Sequence, residues 1–402
     1  MLSGYVDPAF TAVADAFRLT LPEGRPGGGA LCIYHRGRPV VDIWAGTRNR
    51  AGDPWRQDTV SLSFSTTKGI VSTLLHQLAD RGEIDYDSPV ARYWPAFAHH
   101  GKHRITVRHL LTHEAGLYGI RSLIEDAAEM RDWEHMLGVM ERAAPLHAPG
   151  AMNGYHALTY GWLVGGLVEK VAGMPLAQVL EELLVDPLQL DGCFIGVPEE
   201  EEERCADLIV SRKPATTSGG AAPRKSRKRL GSQLLDLTLA AAGFDQASFL
   251  EAMIPKGMSR FDWNASETRS ASIPGAGGMF TARSLARIYS ALANRGEHEN
   301  GRLLGERTVR AMATVQNTRR GAVIPLPMRW RLGYHRVFTT GPRTPDAFGH
   351  FGYGGSGAWC DPSRELSLGY TVNYGSGSPF GDLRISRLNT AAIRAAEQLA
   401  AR

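Results

Sequence analysis

The segment SLSFSTTKGIVSTLLHQLADRG, residues 61–82, places Lys68 three residues after Ser65 at the start of an apolar helix. Residues three apart share a helix face, so the amine lies beside the hydroxyl. The first turn carries the positive end of the helix dipole and is a poor place for a lysine. Burial and that field both disfavour the charged form and lower the lysine pKa. A neutral amine beside a serine is a general base, and it turns a weak nucleophile into an active one. The free N–H groups of the helix start, that of Ser65 first, are suited to bind a developing oxyanion. Serine and lysine are frequent residues, however, and the pair on its own also arises by chance.

Two later segments add to it. NGYHALTYGWLVGGLVEKVAG carries Tyr155 just ahead of a predicted helix, and FGHFGYGGSGAWCDP carries His350, Phe351 and Gly352 into a predicted strand. Each has a plain reading alone: a core aromatic, and a glycine-rich turn. In this order, the three motifs resemble the serine β-lactamase and penicillin-binding-protein superfamily, whose signature is S-x-x-K. Within it the chain is similar to the class C β-lactamase-like, family VIII carboxylesterases. The likeness runs over nearly the whole sequence, through FSTTKG, LLTHEAGL, GYHALTYGWLVG, GGMFTARSLARIYSALAN and GHFGYGGSG.

The resemblance implies Ser65 as nucleophile, Lys68 as its base partner and Tyr155 as the tyrosine that completes the proton network. It implies the backbone N–H groups of Ser65 and Tyr353 as the oxyanion hole, with His350, Phe351 and Gly352 facing the substrate. Departures from the family pattern bear on specificity. Ala157 stands where a β-lactamase has an asparagine for its amide substrate. His350 and Phe351 stand where the lysine and threonine of K-T-G grip an antibiotic carboxylate. A histidine is only partly cationic near neutral pH, and phenylalanine has no hydroxyl. The expected reaction is therefore hydrolysis of small carboxylic esters with short to medium acyl chains, through an acyl-enzyme on Ser65. Alternatives are a β-lactamase or D-amino-acid peptidase, an acyltransferase, and a catalytically weak scaffold of the same fold. A hydrogen bond from Tyr155 is expected to help hold the Lys68 amine neutral.

The elements that must position these residues form three regions. The N-terminal stretch MLSGYVDPAFTAVADAFRL reads as an amphipathic helix, followed by two β-rich runs joined at Arg36-Gly37 as a hairpin. From about Tyr86 to Phe261 the pattern is mostly helical. The last third returns to mixed helix and strand, with a helix over SLARIYSALANRG, a strand–turn–strand over GSGAWCDPSRELSLGYTVNY and a closing helix. The expected fold is α/β (α+β): an antiparallel sheet flanked by helices with a large helical insertion. Residues 1–88 and 270–402 are expected to form one discontinuous domain, and residues 89–269 a mainly helical one.

Composition excludes other classes. The 402 residues carry a formal net charge of +4, which points to neither nucleic acid nor an anionic membrane. The basic tract RKPATTSGGAAPRKSRKR lacks interleaved aromatics and reads as a flexible loop at about 212–231, with local charge pairing to the acidic run at Glu199–Arg204. No apolar run approaches membrane-span length, and the first residues do not resemble a secretory signal. The expected location is cytoplasmic. The four cysteines, Cys32, Cys193, Cys205 and Cys360, have no metal or disulfide spacing and read as reduced, buried thiols. No serine has glycines at both flanking positions of a G-x-S-x-G elbow. His99, His100 and His103 read as surface residues, as does His113, which does not continue to H-E-x-x-H. No metal or cofactor is expected, and the only partner expected is a small ester.

Overall fold

The computed structural model describes residues 2–210, 245–375 and 382–401; the basic tract lies outside these residues. Among the described residues, twelve strands run in chain order: β1 (Ser3–Val6), β2 (Gly28–His35), β3 (Arg38–Gly46), β4 (Ser61–Leu62), β5 (Cys193–Ile195), β6 (Gly278–Phe280), β7 (Glu297–His298), β8 (Gly301–Arg302), β9 (His335–Arg336), β10 (Phe348–Phe351), β11 (Gly357–Asp361) and β12 (Leu366–Val372). Seven of them form one antiparallel sheet in the order β1-β3-β2-β12-β11-β10-β9. A small sheet, β4-β6-β5, lies beside it.

The predicted hairpin is β2–β3, closed with His35 opposite Arg38 and with Arg36 and Gly37 both at positive φ. A two-residue turn of that kind matches the twist of the strands it joins. The chain start differs from the expectation of a helix throughout. Residues Ser3–Val6 are an edge strand on β3, and the helix covers only Thr11–Arg18. Asp7-Pro8 separates the two, because Asp7 caps a short turn and proline opens it.

Along β2, Leu31 and Ile33 face one side of the sheet while Ala30 and Cys32 face the other, the two-residue period of a strand buried on both faces. The Thr11–Arg18 and Leu383–Ala400 helices cover the first side through Val13, Phe17, Leu388 and Ile393. The Ala282–Ala293 helix covers the second side, against β2, β11 and β12. The fold is thus mixed, an antiparallel sheet between helices. All four cysteines are buried and free.

Between the sheet and the remaining helices runs the Thr66–Asp80 helix, buried at every residue from Thr66 to Leu78. Ile70, Val71, Leu74, Leu75 and Leu78 belong to the largest apolar cluster, and the helix packs against Thr159–Ala172. Gly82, at φ 78°, follows its last turn. The acidic run Glu199–Arg204 is a short 3-10 helix, and its Arg204 pairs with Asp191 and Glu201. Among the described residues, no single helix is long and apolar enough to cross a membrane.

Candidate active site

The Thr66–Asp80 helix begins at Ser65, and serine at this position normally caps the helix with its own hydroxyl. Here the side chain makes no capping bond. Its Oγ is instead engaged by two other groups: Lys68 Nζ at 2.8 Å and the Tyr155 hydroxyl at 3.0 Å. The preceding residue, Phe64, has φ 45°, in the left-handed region that side chains other than glycine seldom adopt. Thr67 fixes this bend by donating to the Phe64 carbonyl at 2.6 Å and accepting the Gly278 N–H at 3.0 Å.

Lys68 is fully buried. Besides Ser65, it reaches the carbonyls of Ala157 and Gly275, both at 2.6 Å. Burial drives its pKa well below the ordinary lysine value, with no carboxylate offsetting it. Carbonyls only accept hydrogen bonds, so a neutral amine spends both its N–H groups on them. Its lone pair is then left for the Ser65 hydroxyl proton. The Gly275 carbonyl reaches the amine because glycine there lets the loop lie on Leu158, whose carbonyl would stand 2.3 Å from a Cβ.

Tyr155 is also buried, which pushes its phenol pKa up, and its hydrogen bond to Ser65 only partly opposes that. It remains protonated and donates. The expected bond from Tyr155 to the amine is replaced by this bond to Ser65 Oγ, while the amine stands over the tyrosine ring, 5.2 Å from its centroid. Trp330 stacks on the same ring at 5.5 Å.

At the end of β10, Gly352 lies so close to Ser63 that a Cβ would stand 2.2 Å from the Ser63 carbonyl. Only glycine permits that approach. Ser356 donates to the same carbonyl at 2.8 Å, and its own carbonyl accepts the Gly352 N–H at 2.8 Å. The N–H groups of Ser65 and Tyr353 have no partner among the described residues. Arg384 holds the turn after Tyr353 by donating to the Gly354 carbonyl at 2.8 Å.

These residues open onto a cleft of about 350 Å³, walled by Met253, Met328, Phe338, Phe351 and Ile385 beside Ser65 and Tyr155. His350, Gly352 and Tyr353 line it too, so the structure brings them to one cleft with Ser65, Tyr155 and Phe351, and Lys68 reaches Ser65 at 2.8 Å. The charge expected of His350 is corrected. It is 1% exposed, and burial with His335 and Lys68 nearby lowers its pKa well below the ordinary value. It is neutral at working pH. His99, His100 and His103 are exposed as expected, but His113 is not a surface residue. It is buried, with its ring against Tyr155, His156, Tyr160 and Trp330. Sequence reasoning also passed over the Ala157 carbonyl, since only the side chain at that position had drawn notice.

Residues 13–392 match the Beta-lactamase family. The chain belongs to the β-lactamase family. It is 38% identical over 380 residues to the esterase/beta-lactamase LipL of Mycobacterium tuberculosis, covering 92% of this chain and 82% of that protein. Esterase EstB of Burkholderia gladioli is 33% identical over 207 residues, 47% of this chain and 52% of EstB. Among solved structures, a family VIII carboxylesterase is 32% identical, with a TM-score of 0.84 over 98% of this chain and 100% of the other. A penicillin-binding-protein homologue from Caulobacter crescentus gives the same figures.

Proposed function

We propose that this chain, an esterase-type serine hydrolase, cleaves carboxylic esters of short to medium acyl chain through an acyl-enzyme on Ser65. The observation that carries the reading is the Ser65 hydroxyl, released from helix capping and held between Lys68 and Tyr155.

Lys68 takes the Ser65 proton as Oγ bonds to the ester carbonyl carbon. The carbonyl oxygen becomes an oxyanion, and the N–H groups of Ser65 and Tyr353 receive it. Collapse breaks the bond to the alcohol oxygen. Tyr155 gives its proton to that leaving alkoxide and is reprotonated from the Lys68 ammonium. Water then attacks the acyl-enzyme along the same proton path in reverse, which restores Ser65 and releases the acid. Protons balance at each step, and burial assigns the roles: the amine with the lowered pKa is the base, and the phenol with the raised pKa is the acid.

The wall of the cleft supports the substrate class. Its apolar side chains suit an acyl chain, and each methylene buried there adds about 0.8 kcal/mol. The side chains standing for the antibiotic-binding groups, Ala157, His350 and Phe351, offer no cation to a carboxylate. A p-nitrophenyl butyrate assay beside a chromogenic cephalosporin tests both parts. Catalytic efficiency on the ester is expected to exceed that on the cephalosporin at least 100-fold, on the order of the loss of one charge-assisted contact. A cephalosporin efficiency equal to the ester's reverses the assignment toward a β-lactamase. Intact mass after incubation with ester should show an added acyl group, absent in Ser65→Ala.

A further inference from the structure

His113 takes no part in the chemistry above, yet it holds both neighbours of Tyr155. Its carbonyl accepts the Gly154 N–H at 2.9 Å, and its ring Nδ1 accepts the His156 N–H at 3.2 Å. One residue earlier, the Thr112 carbonyl accepts from Asn153 Nδ2 at 2.8 Å. The segment ahead of the tyrosine is therefore zipped to the LLTHEAGL segment. The His113 ring also meets the Tyr155 ring edge-on, 4.8 Å between centroids.

The tautomers follow from the donors. The Leu117 N–H donates to His156 Nε2 at 3.1 Å, so His156 carries its proton on Nδ1 and presents it to His113 Nδ1 at 3.4 Å. His113 Nδ1 is thus an acceptor twice over, a role that only the neutral ring can fill. Burial keeps both rings neutral, with His156 pushed down to about 3 and His113 well below its ordinary value. His113 holds this position at φ 60°, a backbone conformation uncommon outside glycine and kept only when the surroundings demand it.

We infer that His113 is a positioning residue that aims the Tyr155 hydroxyl at Ser65 by clamping the backbone on both sides of the tyrosine. The inference rests on Tyr155 as the proton donor of the proposed hydrolase. A misplacement of about 1 Å in such a group costs on the order of 100-fold in rate.

Turnover of p-nitrophenyl butyrate tests it, with active-site concentration fixed by titration with a p-nitrophenyl phosphonate. His113→Leu, which removes the acceptor, should lower kcat about 100-fold with KM within about twofold. In His113→Asn the amide oxygen stands near the lost Nδ1, and asparagine tolerates positive φ. It should recover kcat to within about fivefold of the wild type. In a Tyr155→Phe background, His113→Leu should cost no more than about twofold further, because the hydroxyl it aims is gone. If His113→Leu does not fold, His113→Phe keeps the ring volume without the acceptor, and the same losses are expected of it. Losses at His113 and Tyr155 that multiply, or an asparagine variant as slow as the leucine one, overturn the inference alone. A Tyr155→Phe enzyme with wild-type kcat overturns the proton-donor reading, and the inference falls with it.

Discussion

Two buried lysines stand at opposite ends of two helices. Lys68 lies in the first turn of the Thr66–Asp80 helix, and its amine meets the carbonyls of Ala157 and Gly275. Lys102 reaches the last turn of the Trp133–Arg142 helix, where its amine donates to the carbonyls of Glu141, at 2.8 Å, and Ala143. Both are fully buried, and each is held by two carbonyls. Their electrostatic settings differ in sign. A helix C-terminus favours a cation and an N-terminus disfavours one. Lys102 also has the Glu141 carboxylate nearby, which partly offsets burial and leaves its pKa at about 8. Lys68 has no such offset, and burial alone drives its pKa well below the ordinary value. The same residue in the same pair of carbonyls is an ammonium cap in one place and a candidate base in the other. Burial alone does not make a lysine catalytic. The field and the third neighbour, here the Ser65 hydroxyl, decide it.

The comparison breaks most sharply under substitution by arginine, which keeps the charge and cannot deprotonate at accessible pH. Lys68→Arg should lower kcat by a factor of about 1,000 or more in a protein with a wild-type circular dichroism spectrum. Lys102→Arg should change kcat less than about threefold. Equal effects at the two sites would remove the distinction drawn between them.

The pH dependence sharpens it next. The base must be neutral, so kcat/KM should rise with pH by about tenfold per unit while Lys68 is mostly protonated, then level off. The plateau should arrive below the ordinary lysine value of 10.5, because burial lowers the folded-state pKa. The profile should be unmoved in Lys102→Met. A kcat/KM that falls as pH rises from 6 to 10, or that keeps climbing past 10.5, would contradict an amine base of lowered pKa.

Stability should report the other lysine. Lys102→Met leaves two buried helix-end carbonyls without their donor and should cost about 1–3 kcal/mol in urea unfolding, with turnover per folded site preserved. The smallest effect is its pH dependence. With Lys102 at about 8 when folded and at the ordinary lysine value of 10.5 when unfolded, the unfolded chain holds more protons between those values. Wild-type stability attributable to Lys102 therefore rises as pH climbs from about 8 to 10.5. The gap in melting temperature between wild type and Lys102→Met should widen over that window, and a narrowing gap would contradict the shift.

Much of this was legible in the residues. The hairpin at Arg36-Gly37 followed from turn chemistry, and the buried helix after Ser65 from its run of Ile70, Val71, Leu74, Leu75 and Leu78. The edge strand Ser3–Val6 was missed because four residues carry little periodic signal, and its pairing with β3 is a long-range event. His113 was read as a surface residue because its neighbour Glu114 and its polar company say nothing of the 153–156 segment that folds over it. His350 was expected to carry part of a charge, since its burial comes from Tyr155, Trp330 and His335, which the sequence scatters.

The sequence by itself determined that the Ser65 hydroxyl and the Lys68 amine stand side by side, because three-residue spacing on a helix is local geometry and holds wherever that helix lies. It also set Ala157, His350 and Phe351 at the positions where the resemblance expects antibiotic-binding side chains. Only the tertiary structure decided that burial lowers the lysine pKa and raises that of the phenol, and which atom each one faces. The amine's two carbonyl partners come from 89 and 207 residues away in the chain. The amine is shut off from water in a helix packed between the sheet and the Thr159–Ala172 helix. A pKa is set by what surrounds a group in space, and no local pattern of residues contains that surrounding.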